Sequence, residues 1–284
     1  MIPGRNQMIE PQKLHQLSGG QKRRKLALTF GALERDIAGI PEKGMEYNFK
    51  NMSRAAYTKK IAEIVLQDPK LPKTAYDELS ALLQAEPFDE RRVCNCARNH
   101  LLEIIGTFPA EWDLVIAPHK NPLAEDGTVI ERNFYPGTAV YAEDIRSPFN
   151  LGSIFRTAEG MGAEKVYISP GCVDPEQPRA VRSGMGCIET MGWERIAVED
   201  LPEDIPVFAL ETGGTTIDEF KFPEKGICII GSEELGVSPQ ALKRATYGTV
   251  TIPMIGLKAS LNVGVAFGIL MQKWCEYLSS LKNN

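Results

Sequence analysis

Three segments in the second half of the chain place polar residues beside glycines, where strand-like runs give way to helical ones. The first, Asp144-Ile-Arg-Ser-Pro-Phe-Asn-Leu-Gly-Ser-Ile-Phe-Arg-Thr-Ala158, contains Asn150 and Arg156. The second, Ile230-Gly-Ser-Glu-Glu-Leu-Gly-Val-Ser238, contains Glu233. The third, Ile252-Pro-Met-Ile-Gly-Leu-Lys-Ala-Ser-Leu-Asn-Val-Gly-Val-Ala266, contains Ser260 and Asn262. Loops after parallel strands are where α/β sheets bind ligands, so these residues are candidates for a binding or catalytic site.

Each of these residues also has an ordinary structural interpretation. Asn150, Ser238 and Ser260 lie where N-caps of helices are predicted, and such residues commonly accept a backbone N–H there. Arg156 lies six residues after Asn150 on a predicted helix, where an arginine is usually a solvated charge. Asn262 is predicted in a first helical turn, where asparagine has low propensity, so its presence needs another reason.

Two further motifs favour structural roles. Residues 17–21 spell LSGGQ, as in the signature segment of ABC-type ATPases, but the chain contains no Gly-Lys dipeptide and therefore no GxxxxGK[ST] phosphate loop. We interpret this stretch as a Gly-containing turn before a basic helix, whose charges could contact phosphates: Lys22, Arg23, Arg24 and Lys25.

Cys94 and Cys96 are separated by one residue, which is closer than most zinc sites allow, and His100 could only be a third ligand. The segment is therefore interpreted as part of a helix, and no metal site is predicted. The other cysteines are isolated along the chain.

Composition limits the class of protein. Apolar residues form 43% of the 284-residue chain and charged residues 24%, as in ordinary globular proteins. No apolar run approaches a membrane span, the first residues are polar, and the six cysteines are scattered, which together predict a cytoplasmic protein with reduced thiols.

Charge is unevenly distributed along the chain. Residues 1–60 hold 12 Lys/Arg and 5 Asp/Glu, a net charge of +7, whereas the remaining residues hold 20 and 32, a net charge of −12. The basic part would attract a polyanion, although a solvated charged face explains the excess equally well.

The elements that must position the polar residues follow from periodicity. Residues 1–105 are predicted to form a basic-leaning domain of short helices, because apolar residues recur three and four apart between prolines. Residues 106–135 are predicted to be a connector. From residue 136 to 284, strand-like and helical runs alternate, which favours an α/β domain with a mostly parallel sheet. The predicted strands are TAVYAED, KVYISP, ERIAVED, VFALET, GICIIGSE and GTVTIPM, and the predicted helices begin near Leu151, Pro178, Thr216, Pro239 and Leu261.

In this order and at these separations, the three segments resemble the three motifs of the SpoU–TrmH branch of the SPOUT methyltransferases. The resemblance covers about residues 137–275 and includes Arg179-Ala-Val-Arg-Ser-Gly-Met-Gly186 before the third strand. It implies an α/β fold with a C-terminal trefoil knot, formed here by the loops after GICIIGSE and GTVTIPM. The N-terminal half resembles no accessory domain that we can name.

The resemblance also implies a cofactor and a site. Family members bind S-adenosyl-L-methionine in the knot, and the matching positions here are Glu211, Thr212, Gly213, Gly231, Ile252, Met254 and Leu261. The family's polar site residues fall on Asn150, Arg156, Glu233, Ser260 and Asn262, all of which are present. The implied reaction is methyl transfer to a ribose 2′-hydroxyl of RNA by a homodimer, with no metal.

The chemistry needs a base or a charge stabiliser near the hydroxyl. Residues 137–284 contain no histidine, so Glu233 is the ordinary candidate for a base. A guanidinium stays protonated, so we expect Arg156 to clamp a phosphate or an alkoxide and to assist proton loss. Asn150 and Asn262 would orient the loops and the hydroxyl, with Ser260 hydrogen-bonded to either.

Four alternatives remain open. The substrate could be tRNA. We favour rRNA, because added N-terminal domains are common among rRNA-modifying members. The chain could be a catalytically silent RNA-binding protein on the same fold, although its polar residues are intact. A base methyltransferase is disfavoured because such SPOUT branches use other motifs. A dinucleotide-dependent oxidoreductase is disfavoured because no GxGxxG follows a strand.

Overall fold

The computed structural model describes residues 8–14, 16–42, 44–49, 51–108, 114–115, 131–258 and 260–282. The chain divides into two units, Met1–Ile130 and Glu131–Asn284. The predicted boundaries after residues 105 and 135 stay predictions, because most of the predicted connector lies outside the described residues. Within the described ranges, no helix has the length and apolar character required to cross a membrane.

The first unit is helical, as the periodicity predicts. Ser53 and Asp89 start two of its helices by accepting the backbone N–H groups of Ala56 and Arg92, and Gly106 ends the last helix in a left-handed conformation with φ of 78°. The helices are α1 (Pro11–Leu14), α2 (Gly19–Ile37), α3 (Arg54–Leu66), α4 (Lys73–Gln84) and α5 (Glu90–Ile105).

Helix α2 lies in the core of this unit. Leu26, Phe30 and Leu33 are fully buried against apolar residues of α3 and α5. The glycines of LSGGQ form the first helical turn of α2 itself, instead of a turn before it. Helix α2 is therefore part of the core of the unit, so the basic cluster that it carries does not lie on a detachable arm.

The second unit contains a six-stranded sheet with the strand order β3-β2-β1-β5-β4-β6, and every pairing is parallel. Its strands are β1 (Tyr135–Ala142), β2 (Ala163–Ile168), β3 (Gly192–Arg195), β4 (Val207–Thr216), β5 (Gly226–Ile230) and β6 (Gly248–Thr251). Its helices are α6 (Pro148–Gly160), α7 (Pro178–Gly184), α8 (Cys187–Thr190), α9 (Pro239–Arg244) and α10 (Val263–Lys282).

Both faces of the sheet are covered, as parallel sheets require. On one face, Phe208 meets the rings of Trp274 and Phe222 at centroid distances of 5.0 and 6.0 Å. On the other face, Ala209 and Ile229 pack with residues of α9 and the segment before it. Every residue of β5 is buried, so the strand that carries Gly231 at its end is held on both sides.

The predicted fold class is confirmed, but two predicted elements are wrong. No helix begins at Thr216, because Thr215 and Thr216 continue β4 by pairing with Val250 and Thr251 of β6. The run ERIAVED is a strand only to Arg195, and residues 198–200 form a 3₁₀ turn. The trefoil knot stays a prediction.

Candidate active site

The topology brings the candidate segments to one edge of the sheet. Strands β1, β5, β4 and β6 are consecutive neighbours and all run in the same direction. Their carboxyl ends therefore lie side by side, and the loops that follow them share one edge. The polar segments after β1, β5 and β6 and the glycine-containing end of β4 all belong to this edge.

Three of the five predicted polar residues form one hydrogen-bonded chain. The Nδ2 of Asn262 donates to the Oδ1 of Asn150 at 2.9 Å, and the Nδ2 of Asn150 donates to the Oε1 of Glu233 at 2.8 Å. These residues come from three segments that are 112 and 83 residues apart in sequence. Their convergence joins the three motifs into one cluster.

Asn150 is not the N-cap of α6, contrary to the prediction. Ser147 occupies that position and accepts the Asn150 backbone N–H at 3.4 Å, while Pro148 begins the helix. The Asn150 side chain is buried and left to bind Glu233 and Asn262. The Ser-Pro pair was the sequence signal for this cap, because proline is favoured in the first helical position.

The second correction concerns α10, which begins at Val263 instead of at Ser260 or Leu261. Asn262 lies just before it, and its Oδ1 accepts the backbone N–H groups of Gly264 and Val265 at 3.0 and 3.3 Å. Asn262 therefore caps α10 and does not lie within its first turn. This capping role supplies the reason that helix propensity alone could not give.

Glu233 binds the start of α6 through both carboxylate oxygens. The backbone N–H groups of Arg146 and Ser147 donate to Oε2 and Oε1, each at 3.0 Å, in addition to the Asn150 amide. Burial acts to raise the pKa of Glu233, but these hydrogen bonds outweigh it and hold the pKa below its ordinary value. The carboxylate is thus an ionised anchor between two loops, which makes it a poorer base than the sequence suggested.

Two further carboxylates hold the loop that carries Glu233. The Oε2 of Glu211 accepts the backbone N–H of Val237 at 2.8 Å. The buried Glu143 accepts the backbone N–H of Ser238 at 2.8 Å and its hydroxyl at 2.6 Å. Ser238 caps α9, as predicted, by accepting the Ala241 N–H. The sequence analysis did not identify Glu143, because its contact with this loop becomes visible only once β1 is known to pair with β5.

Gly231 is required by the shape of the same loop. A Cβ at this position would lie 2.0 Å from the carbonyl carbon of Gly236 and 2.2 Å from the nitrogen of Val237. The loop between them closes through reciprocal backbone hydrogen bonds of Ser232 and Gly236. A glycine is therefore required at this position for the loop to fold, whether or not a cofactor binds there.

The other two predicted polar residues do not join the hydrogen-bonded chain. Arg156 is half-buried on α6, nearly two turns after Asn150, and lies close enough to Cys187 to influence its pKa electrostatically. Ser260 is exposed in the loop before α10. Both flank the cluster in sequence, and their roles stay predictions.

The remaining predicted cofactor residues lie at the ends of β4 and β6. Thr212 and Gly213 belong to the last part of β4, where Gly213 has a positive φ of 79°. Ile252 is half-buried against the core, whereas Met254 and Leu261 are each 37% exposed. Ile255 and Leu257 between them are fully exposed apolar side chains. This edge of the sheet thus presents apolar side chains and backbone groups beside the polar cluster.

Comparison with known proteins relates the second unit to a family. Residues 137–272 match the model of the SpoU rRNA Methylase family, which confirms the predicted resemblance over this part of the chain. We call this part the SpoU domain after that match.

Three similar proteins illustrate the extent of the match. An uncharacterised tRNA/rRNA methyltransferase of Synechocystis is 32% identical over 46% of this chain and 52% of its own length. A 23S rRNA uridine 2′-O-methyltransferase of Streptomyces viridochromogenes is 30% identical over 42% of this chain and 46% of its own length. The crystal structure of the SpoU methyltransferase AviRb from the same species, in complex with AdoMet, is 26% identical with a TM-score of 0.48, covering 55% of this chain and 62% of that one. The chain thus spans about half the length of the two curated relatives.

Proposed function

We propose that the protein is an S-adenosyl-L-methionine-dependent RNA methyltransferase that methylates a ribose 2′-hydroxyl. The observation that carries the proposal is the chain of hydrogen bonds from Asn262 through Asn150 to Glu233, which unites all three motifs in the SpoU domain. The cluster also holds the loops and helix starts together, so the transfer test below is what separates a methyltransferase from a protein that only binds RNA on this fold.

The edge of the sheet fits S-adenosyl-L-methionine. Exposed apolar side chains of the loop before α10, including Met254, Ile255 and Leu261, offer walls for an adenine ring. Backbone groups around Gly213 and Gly231 offer hydrogen bonds to its polar atoms. When bound there, the cofactor supplies an electrophilic methyl group on a sulfonium.

The protein's own residues then have two tasks. Asn150, Asn262 and Glu233 fix the start of α6 relative to the loops, so that the substrate hydroxyl can be held in line with the methyl group. The hydroxyl would release its proton to solvent as its oxygen takes up the methyl group. Arg156 stabilises the negative charge that develops on the oxygen. Glu233 acts as an anchor, because three of its roughly four acceptor sites are already used.

Ribosomal RNA is the substrate we favour over transfer RNA. A relative with 30% identity is named as a 23S rRNA 2′-O-methyltransferase, and the first unit adds a helical domain ahead of the SpoU domain. We further propose a homodimer that acts in the cytoplasm.

The test is methyl transfer with tritiated cofactor to total RNA from a strain that lacks the gene. We expect incorporation into RNA, and we expect mass spectrometry of the digested nucleosides to find the label on a 2′-O-methylated nucleoside. Label on a base would contradict the ribose assignment. Cofactor binding without any transfer to rRNA or tRNA would favour the silent RNA-binding alternative.

A further inference from the structure

A cluster of three chemically different side chains lies in the helical unit, Met1–Ile130. Cys96 and His100 are four residues apart on α5 and therefore share one face of the helix. Glu78 reaches them from the neighbouring helix α4. The ligand atoms of the three residues all lie within 4.8 Å of one another.

The arrangement is partly protected from solvent. Cys96 is 7% exposed, and the His100 side chain is 23% exposed. The Nε2 of His100 lies 2.9 Å from Glu78 Oε2, and its Nδ1 lies 3.6 Å from the carboxylate of Glu103. Burial and the neighbouring Glu78 raise the pKa of Cys96 to about 12, so the free thiol stays neutral beside the carboxylate.

We propose that Glu78, Cys96 and His100 bind a zinc ion that joins α4 to α5. Sulfur, imidazole nitrogen and carboxylate oxygen are the three ligand types that zinc takes in proteins. Bond lengths of about 2.0–2.3 Å place tetrahedral ligands roughly 3.5 Å apart. Small rotations of the exposed Glu78 and the half-buried His100 bring the present separations to that value.

The surroundings complete the site in the way that metal sites usually require. The carboxylate of Glu103 lies 3.6 Å from the Nδ1 of His100, just beyond hydrogen-bond distance, and would accept the Nδ1–H once the ring shifts to bind the metal through Nε2. Three protein ligands leave a fourth position for water. A thiolate with an imidazole selects zinc or cobalt over magnesium and calcium, which prefer oxygen ligands.

The site accounts for a motif that the sequence left unexplained. The Cys94–Cys96–His100 spacing fails as a zinc motif because Cys94 points into the helical core, where it is fully buried. Glu78 takes its place from another helix. The function of such an ion is to stabilise the helical unit, since binding to the folded state alone shifts unfolding by mass action.

Cobalt is the probe for the test, because Co²⁺ replaces Zn²⁺ and reports its ligands by absorbance. The tag-free 284-residue chain under reducing conditions is titrated with Co²⁺ and then with Zn²⁺. We expect a thiolate-to-cobalt charge-transfer band that saturates at one equivalent and disappears on addition of Zn²⁺. Cys96→Ser should abolish the band, and Cys94→Ala is the matched control that should retain it.

Two surface variants guard against misfolding of the cysteine variant. Glu78→Gln and His100→Gln should each weaken Zn²⁺ affinity by more than the 10- to 100-fold expected for a residue that only supports a ligand, such as Glu103 in Glu103→Gln. Zn²⁺ should raise the melting temperature of the wild type but not of His100→Gln. Absence of the band in the wild type, its persistence in Cys96→Ser, or equal affinities in all three surface variants would overturn the proposal.

Discussion

At the scale of single residues, Arg156 and Glu233 have opposite charges and different places in the site. Glu233 is held by three hydrogen bonds that anchor the loops, whereas Arg156 is half-buried on α6, nearly two turns after Asn150. In the proposed reaction, Glu233 anchors the loops and Arg156 acts on the substrate.

We predict that Arg156→Ala lowers the turnover of methyl transfer by roughly 100-fold or more, the usual scale for a positioned charge-stabilising group. Cofactor affinity and folding should not change, because the hydrogen bonds that hold the loops come from Asn150, Glu233 and Asn262. Arg156→Lys should not restore turnover, since a point charge cannot replace a planar fork. Calorimetry and single-turnover transfer measure the two quantities.

Lys243→Ala, which removes an exposed cation from α9, is the control and should leave turnover near the wild-type value. If Arg156→Ala also turns over normally, Arg156 is only a surface charge and the proposed active centre is misassigned.

The amides of Asn150 and Asn262 can point only one way. The Oδ1 of Asn262 is committed to the cap of α10, so its Nδ2 must donate to Asn150, whose own Nδ2 must then donate to Glu233. Asn150→Asp removes this donor and places a second carboxylate beside Glu233. We predict that it destabilises the protein more than Asn150→Ala at pH 7, by roughly 1–3 kcal/mol, although it is the closer match in shape.

Urea unfolding of both variants at pH 7 and at about pH 4 measures this effect. The excess destabilisation of Asn150→Asp should shrink at the lower pH, because one of two adjacent carboxyls then takes up a proton. Equal stability of the two variants at pH 7 would show that the amide direction does not matter.

At the scale of elements, the loop between β5 and α9 is defined by one glycine and three carboxylates. Gly231→Ala puts a methyl group 2.0 Å from backbone that cannot retreat without breaking the Ser232–Gly236 hydrogen bonds. We predict a loss of at least about 1–3 kcal/mol in unfolding free energy, together with loss of cofactor binding. Thermal unfolding and calorimetry test both.

Gly192→Ala is the matched control, because a Cβ there meets nothing within 4 Å. If Gly231→Ala binds the cofactor with unchanged affinity, the loop does not belong to the cofactor site.

The apolar sequence of helix α10 exceeds what a lone surface helix needs, so an interface with a second copy of the chain is one expectation for it. Four of its large apolar residues are instead buried in the core of its own unit: Phe267, Leu270, Trp274 and Leu278. In the first half of α10, Val265 and Ile269 are exposed and continue from Leu261 at intervals of four, so that the three form one stripe. Leu281 near the end of the helix is also exposed.

We predict that Val265→Glu combined with Ile269→Glu converts the dimer to a monomer, because two charges would be buried without partners at the interface. Light scattering at micromolar concentration measures the assembly. Leu242→Glu, an equivalent change on α9, should leave it unaltered. A wild-type protein that is monomeric and fully active would contradict the dimer itself.

Periodicity predicts the elements well where the local pattern also decides the structure. The apolar runs of β1 and β5 lie where the sequence placed them, because these central strands are covered on both faces of the sheet. Thr216 was assigned to a helix because pairing with β6 is not visible in the local sequence. The sequence likewise did not show that Glu78 lies beside Cys96 and His100, because only the packing of α4 against α5 brings it there.

At the scale of the whole molecule, acidic residues of the first unit offset most of the positive charge of residues 1–60. Residues 1–130 together hold 18 Lys/Arg and 17 Asp/Glu, a net charge of +1, whereas residues 131–284 hold 14 and 20, a net charge of −6. Arg23 is also not available to bind RNA, because its buried guanidinium donates two hydrogen bonds to the carboxylate of Asp68, at 2.6 and 2.7 Å. Lys22, Arg24 and Lys25 of α2 are the cations of this cluster that reach solvent.

We predict that replacing Lys22, Arg24 and Lys25 together by alanine weakens RNA binding and makes the slope of log affinity against log salt shallower, by up to roughly 0.7–0.9 for each lost phosphate contact. Substitution is the better test than deletion of residues 1–60, which would remove α2 from the core. Filter binding at several salt concentrations gives the slope.

The exposed pair Arg179→Ala and Arg182→Ala on α7 is the comparison. An unchanged slope in the triple variant, with a shallower slope in this pair, would move the RNA-binding surface to the SpoU domain.

The distance in sequence between the three partners of the polar cluster has a consequence for the order of folding. The contact between Asn150 and Asn262 closes a loop of 112 residues, and β1 pairs with β5 across a similarly long stretch. Such non-local contacts form late, because the entropy of loop closure must be overcome before they stabilise the chain. The helices of the first unit can form while the chain is still being synthesised, but the cluster stays open until residue 262 has left the ribosome. The polar cluster of the proposed active site is therefore completed late in the folding of a newly made chain.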